Sequence, residues 1–212
     1  MNAPAANARQ VPVVLLAAGA GERYGGTKQL ALIDDEPMLR RVVHGLLGVG
    51  TPVIVVTGAH AAEVEAALAG LPVRIERHPG WAEGMGSSLA AGIRRVVADF
   101  SNATGVLLCL ADQPLLDIEL LRRMLVRHGT AAGSILVTSH RGVDGPPVLF
   151  PRDCFEVLSN WSGARGARAL LEREAHRVER FAATNLIDVD TPEDLKRVRE
   201  TLGTYQAKAP RQ

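Results

Sequence analysis

Apolar positions along this chain fall into short, nearly continuous runs separated by polar stretches with helical spacing. Residues 11–17 and 52–57 are rich in valine, isoleucine and leucine, the pattern of strands buried on both faces. Shorter runs at 73–76, 105–110 and 134–139 continue the series, and 178–183 reads as a further strand, antiparallel to the rest. Between them, helical faces are predicted at 38–47, 61–69, 84–100 and 118–128, then at 152–158, 164–173 and 191–201, with a short extension at 29–33. Thr191-Pro192-Glu193-Asp194 marks a helix start, with Thr191 as N-cap, Pro192 at N1 and Asp194 at the capping-box position. Strands alternating with helices imply right-handed βαβ crossovers, a mostly parallel sheet, and ligand chemistry beyond the carboxyl ends of the strands. The rhythm breaks at Arg141. Residues 142–150 predict a small hairpin-like antiparallel excursion with proline on an edge.

The 212 residues suit one α/β domain, expected over 11–203, with a disordered start (1–10) and a loose tail (204–212). Hydrophobic residues make up 47% without any run long enough to cross a bilayer, and the Ala/Asn-rich start has no signal core. A cytoplasmic protein with no membrane partner is the expectation. A net charge of +1 argues against a nucleic-acid surface. Cys109 and Cys154 are too few for a disulfide framework or a cysteine-rich zinc site. Lysine occurs only at Lys28, Lys196 and Lys208, so the one inside the first glycine-rich loop stands out from the composition.

That loop follows the first strand. Gly19, Gly21, Gly25 and Gly26 let backbone amides approach a ligand, and Arg23 and Lys28 add two cations, an environment suited to a polyphosphate. Two phosphate motifs come close and fail. Gly26-Thr27-Lys28 reverses the end of a Walker loop, and Tyr24 replaces the third glycine of the dinucleotide fingerprint, which disfavours a dinucleotide-dependent oxidoreductase. Asp112 ends a nearly all-apolar strand at the same edge of the sheet, with Pro114 stiffening the exit. A carboxylate facing two cations and a glycine loop makes sense with a divalent metal and phosphates between them, although an Asp closing a turn has the same signature.

Gly84, Gly86, Ser87 and Ser88 open a helix whose amides and hydroxyls suit a phosphate, or Ser87 or Ser88 is its N-cap. Asp188 and Asp190 alternate toward one side of an extended segment, or cap the helix that begins at Thr191. Arg165 and Arg168 share roughly one helix face, positioned for an anion or simply solvated. The histidines lack metal-ligand spacing, and no Gly-x-Ser-x-Gly elbow is present.

Residues 16–28, Leu-Ala-Ala-Gly-x-Gly-x-Arg-x-Gly-x-x-Lys, resemble the opening signature of the MobA-like nucleotidyltransferase superfamily. Leu110-Ala111-Asp112-Gln113-Pro114 resembles its second signature, and Asp188-x-Asp190-Thr191-Pro192-x-Asp194 its closing stretch. His78-Pro79-x-Trp81-x-x-Gly84-Met85-Gly86-Ser87-Ser88-Leu89 is similar to a motif of molybdenum cofactor cytidylyltransferases, with His78 in place of asparagine. Residues 163–168 and 145–150 resemble two further elements, Pro146 standing where the family has histidine. The resemblance implies a three-layer α/β/α Rossmann-like fold and transfer of CMP from CTP to the terminal phosphate of molybdopterin, releasing pyrophosphate. It implies Arg23, Lys28 and Asp112 as catalytic residues. Leu16, Ala17, Ala18, Gly19, Ala20, Gly21, Gly86, Ser87 and Ser88 would join them around the nucleotide. Asp112 and Asp190 would hold Mg²⁺ or Mn²⁺, and Gln113, Arg165 and Arg168 would meet the acceptor. Ala18, where guanylyltransferase relatives tend to have glycine, is the cue for CTP over GTP. A guanylyltransferase, a sugar- or polyol-phosphate nucleotidyltransferase and a non-catalytic molybdenum-cofactor carrier or insertion chaperone are the alternatives, and a molybdoenzyme is the further partner implied.

Overall fold

A computed structural model of the chain describes residues 10–163 and 166–208. Its seven-stranded sheet has the order β5-β4-β1-β6-β8-β7-β9. These are β1 (Val13–Ala17), β4 (Val53–Thr57), β5 (Arg74–Arg77), β6 (Gly105–Leu110), β7 (Ile135–His140), β8 (Val143–Pro151) and β9 (Val178–Ala182). A separate small hairpin joins β2 (Leu32–Ile33) to β3 (Glu36–Pro37) through Asp34 and Asp35, both at positive φ. Aspartate tolerates that conformation better than most residues.

The sheet is buried between two helical layers. Val13, Leu15 and Ala17 of β1 pack with α1 (Met38–Leu47), α2 (Ala61–Ala67) and α4 (Ile118–Thr130). Val14 and Leu16 face α3 (Met85–Asp99), α5 (Phe155–Ser159) and α6 (Arg168–Arg173). Both faces of β1 are therefore apolar, which is why its sequence shows no alternation. Cys109 and Cys154 are buried free thiols, and burial pushes Cys154 up to about 11. Among the described residues no helix is long and apolar enough to cross a membrane.

The α/β order and the mostly parallel sheet agree with the sequence pattern, and the antiparallel excursion is real but differently placed. β8 lies inside the sheet, antiparallel to both β6 and β7, rather than carrying its prolines on an edge. Pro146 and Pro147 are accommodated at a register shift, where pairing passes from Val137↔Val148 to Thr138↔Gly145. A bulge spares proline the ladder donor that it lacks. β9 is parallel to β7, not antiparallel as expected. Gln10, expected in the disordered start, bridges Ala103; residues 1–9 lie outside the described residues. The final helix, α7 (Pro192–Lys208), runs well past residue 201, and residues 209–212 are outside the description.

The start of α7 carries a full capping box. Asp194 N–H donates to Thr191 Oγ1 (3.2 Å), and the N–H groups of Asp190 (3.1 Å) and Thr191 (2.8 Å) donate to Asp194 Oδ2. Burial opposes the Asp194 charge, but Arg197, the Thr191 hydroxyl and the two backbone N–H groups outweigh it and bring the carboxyl down to about 2. A carboxylate depressed in the folded state stabilises above its unfolded pKa, and that stabilisation is lost as pH falls through the folded value. Asp194→Asn should therefore cost about 2 kcal/mol at pH 7, and the gap should narrow by about 1 kcal/mol at pH 3. Urea denaturation of both proteins across that range measures it.

Candidate functional site

The glycine loop leaves the carboxyl end of β1 and folds back on itself. Gly21 O accepts from the N–H groups of Tyr24 (3.0 Å) and Gly25 (3.1 Å). Gly21 sits at φ +72°, and a Cβ there would lie 2.3 Å from Gly26 O, so no larger residue fits. The loop ends in a 3-10 turn, Lys28–Leu30, that sends Lys28 one way and the buried Gln29 the other. β6, hydrogen-bonded beside β1, ends just before Asp112. The stretch preceding α7 docks there: Val189 is fully buried, and its N–H donates to Asp112 O (2.8 Å). That backbone bond, with the buried Val189 beside it, helps bring Asp190 to the same mouth.

Lys28 Nζ lies 2.7 Å from Asp112 Oδ2 and 2.9 Å from Asp190 Oδ1, and Arg23 Nη2 lies 2.8 Å from Asp190 Oδ2. Burial pulls the Lys28 pKa down, but Asp112 and then Asp190 overcome it and leave the ammonium above its ordinary value. Burial pushes the Asp112 carboxyl up, and Asp188 and Asp190 push the same way against Lys28. Asp112 Oδ1 is buried without a hydrogen-bond partner. Carboxylate is thus in excess of the cations holding it. Among the described residues no group of three or more His, Cys, Asp or Glu forms a protein-only metal cage. The donor set is two convergent carboxylates, the hard oxygen ligands that Mg²⁺ takes together with substrate phosphates and water. The residues therefore fit a divalent cation.

A cleft of about 440 Å³ opens over this cluster. Residues 16–23, Lys28, Asp112 and Asp190 line it, so Leu16, Ala17, Ala18, Gly19, Ala20, Gly21 and Arg23 come together as the sequence suggested. Ser88 also lines the cleft, but Gly86 and Ser87 do not. Gly86 N–H donates to Gly163 O (2.9 Å), and a Cβ on Gly86 would lie 2.6 Å from Ser162 C, so this glycine allows two backbones to meet. Ser87 Oγ turns inward to Gly84 O (2.8 Å) and Gly80 O (3.1 Å), with His78 Nε2 at 3.0 Å.

Of the expected acceptor residues, neither Gln113 nor Arg168 lines the cleft. Gln113 is buried, and its Nε2 donates to Asp188 Oδ1 (2.9 Å) and Pro146 O (3.2 Å), a brace within the protein. Arg168 is exposed beside Glu172 (3.3 Å), and Arg165 lies outside the described residues. Wall residues outside the expected site include Glu22, Gln29, Trp81 and Met85. Trp81 and Met85 stood inside a recognised stretch, so their signal was present. Gln29 carried only the pair Lys28-Gln29, which suits a sugar- or polyol-phosphate transferase, and nothing in its neighbours says that a glutamine there turns inward.

Comparison with known proteins places these features in context. The family described as "MobA-like NTP transferase domain" matches residues 13–178. A purine catabolism protein, PucB, from Bacillus subtilis is 32% identical over 57% of this chain and 58% of its own length. Here the chain spans less than two thirds of its relative. Nicotine blue oxidoreductase from Paenarthrobacter nicotinovorans is 33% identical over 87% of this chain and 94% of its own. Molybdenum cofactor cytidylyltransferase from Escherichia coli is 24% identical over 90% and 96%. Among solved structures, Rv0371c from Mycobacterium tuberculosis superposes with a TM-score of 0.78 at 30% identity, covering 91% of this chain and 99% of that one. It has also been solved as a complex with manganese.

Removing Lys28 leaves Asp112 and Asp190 facing each other without their shared cation. Lys28→Met should cost about 3 kcal/mol at neutral pH, the lower end for stranding a buried charge. Since the Asp112 carboxyl already sits above its ordinary value, the cost should shrink as pH falls and that group protonates. Adding Asp112→Asn should recover part of it. A double-mutant cycle by chemical denaturation at pH 7 and pH 5 tests both expectations.

Proposed function

The chain belongs to the MobA-like NTP transferase family, and on that premise we propose that it transfers CMP from CTP to the terminal phosphate of molybdopterin, releasing pyrophosphate. The observation that carries this reading is the meeting of Arg23 and Lys28 with Asp112 and Asp190 at the mouth of the glycine loop. The E. coli relative named molybdenum cofactor cytidylyltransferase, matched over 90% of the chain, supports the choice of acceptor.

An oxygen of the acceptor phosphate attacks the α-phosphorus of CTP, and the bond to the pyrophosphate oxygen breaks. No protein nucleophile is needed. The protein's work is positioning and charge stabilisation. Arg23 and Lys28 exchange carboxylate partners for phosphate oxygens, and loop amides between Ala18 and Gly21 hold the nucleotide. Asp112 and Asp190 hold a divalent cation, Mg²⁺ or Mn²⁺, which when bound supplies further neutralisation of the triphosphate. Ala18 in the cleft wall narrows the space beside the base and favours cytosine over guanine. Arg165 and Arg168 remain proposed acceptor contacts, and Gln113 would bear on the acceptor indirectly by bracing Asp188. A cytoplasmic setting and delivery to a molybdoenzyme complete the reading.

A second reading rests on the 33% identity to a relative named nicotine blue oxidoreductase. The two separate in one assay series. Purified protein with Mg²⁺ and molybdenum cofactor should release pyrophosphate with CTP and far less with GTP or ATP. Preference for GTP would overturn the Ala18 argument alone. No release with any nucleotide, together with NAD(P)H oxidation on an electron acceptor, would replace the transferase reading. Lys28→Ala and Asp112→Asn, assayed where they remain folded, should each lose about 100-fold or more in turnover. Wild-type turnover in either would remove that residue from the mechanism.

A further inference from the structure

The loop that leaves β1 has every carbonyl from Leu16 to Ala20 occupied by a donor of the protein. Leu16 O accepts from Ala111 N–H (3.0 Å) and Ala18 O from Ala59 N–H (3.0 Å). Ala20 O lies 3.1 Å from His60 Nε2, which must carry the hydrogen because a carbonyl only accepts. The two remaining carbonyls share one group: Gln29 Nε2 donates to Ala17 O (3.2 Å) and to Gly19 O (2.9 Å). Gln29 is only 3% exposed, lies in the cleft wall, and its Oε1 is buried with no partner.

An orphaned buried oxygen costs stability, a cost set against the two loop carbonyls that the same side chain satisfies. What Gln29 alone supplies is a pair of hydrogens directed at alternate carbonyls of one loop. In a trans peptide C=O and N–H point in opposite directions. Fixing Ala17 O and Gly19 O therefore also fixes the N–H groups of Ala18 and Ala20, and it turns two negative oxygens away from an anion. The neighbouring Lys28 leaves the same 3-10 turn toward the carboxylates.

We infer that Gln29 is a positioning residue that presets the Ala17–Ala20 peptides for the nucleotide. This rests on the nucleotidyltransferase reading above. Gln29 touches no reacting group in this account and acts through the loop. Its loss should weaken nucleotide binding more than the chemical step, because the cations and carboxylates stay in place.

The test compares wild type with Gln29→Met and Gln29→Glu for thermal midpoint, CTP binding by calorimetry, and kcat and KM for pyrophosphate release. Gln29→Met keeps length and removes both donors; it should fold with a modestly lowered midpoint, because two carbonyls lose their donor, raise KM about tenfold and leave kcat within about threefold, the loss expected for one or two hydrogen bonds. Gln29→Glu places an acceptor against two carbonyls at pH 8, whereas protonation lets it donate again. Its KM, relative to wild type at the same pH, should therefore fall toward 1 as pH is lowered from 8 to 5.5. That recovery also serves if Gln29→Met does not fold. Unchanged KM in Gln29→Met, or equal loss of kcat and midpoint with KM unmoved and no acid recovery in Gln29→Glu, overturns the inference while the transferase reading stands. A wild type that neither binds nor turns over any nucleotide removes both.

Discussion

One ammonium group held between two carboxylates ties together parts of the chain that are far apart in sequence. Lys28 follows β1, Asp112 follows β6, and Asp190 precedes α7, separations of 84 and 162 residues. A cation at 12% side-chain exposure needs counter-charge, and two carboxylates so close to each other need a cation. Each requirement answers the other, so neither end of the chain can be placed without the other. The apolar residues beneath enforce the same geometry: Val189, Leu195 and Val198 pack with Ile33 and Met38. The ion cluster and this small core hold the C-terminal segment over the glycine loop.

The parallel order of the sheet makes that meeting cheap in structural terms. β1 and β6 are neighbours with their carboxyl ends at one edge, so the loops that follow them start side by side. Excess carboxylate is then the chemical character of the site, with Asp188 pressing on Asp112 through space while Gln113 braces its carboxylate. Opposing this, the glycine loop presents N–H groups and guanidinium. A site in which both signs of charge meet directly suits a ligand carrying phosphates together with a metal ion. It is a poor match for a simple anion sink.

The sequence by itself determined the order of elements, because strands buried on two faces must be apolar throughout and crossover helices must carry one apolar face. It also determined the loop chemistry of residues 16–28, the carboxylate at Asp112 and the capping box at Thr191–Asp194, since these depend on spacing within a few residues. Only the tertiary structure decided the rest. Proline suggested an edge for residues 142–150, but a bulge opposite Val137 and Thr138 admitted β8 into the sheet. Gly86 and Ser87 matched a phosphate-binding pattern, yet their bonds go to Gly163 and Gly84, backbone that meets the start of α3 in the packed fold. Whether Asp190 was a cap or a site carboxylate turned in part on one long-range bond from Val189 to Asp112. Gln29 turned inward for the same kind of reason. Local spacing dictates which groups a segment carries, whereas the partners of a buried polar group come from segments that only the packed fold brings near.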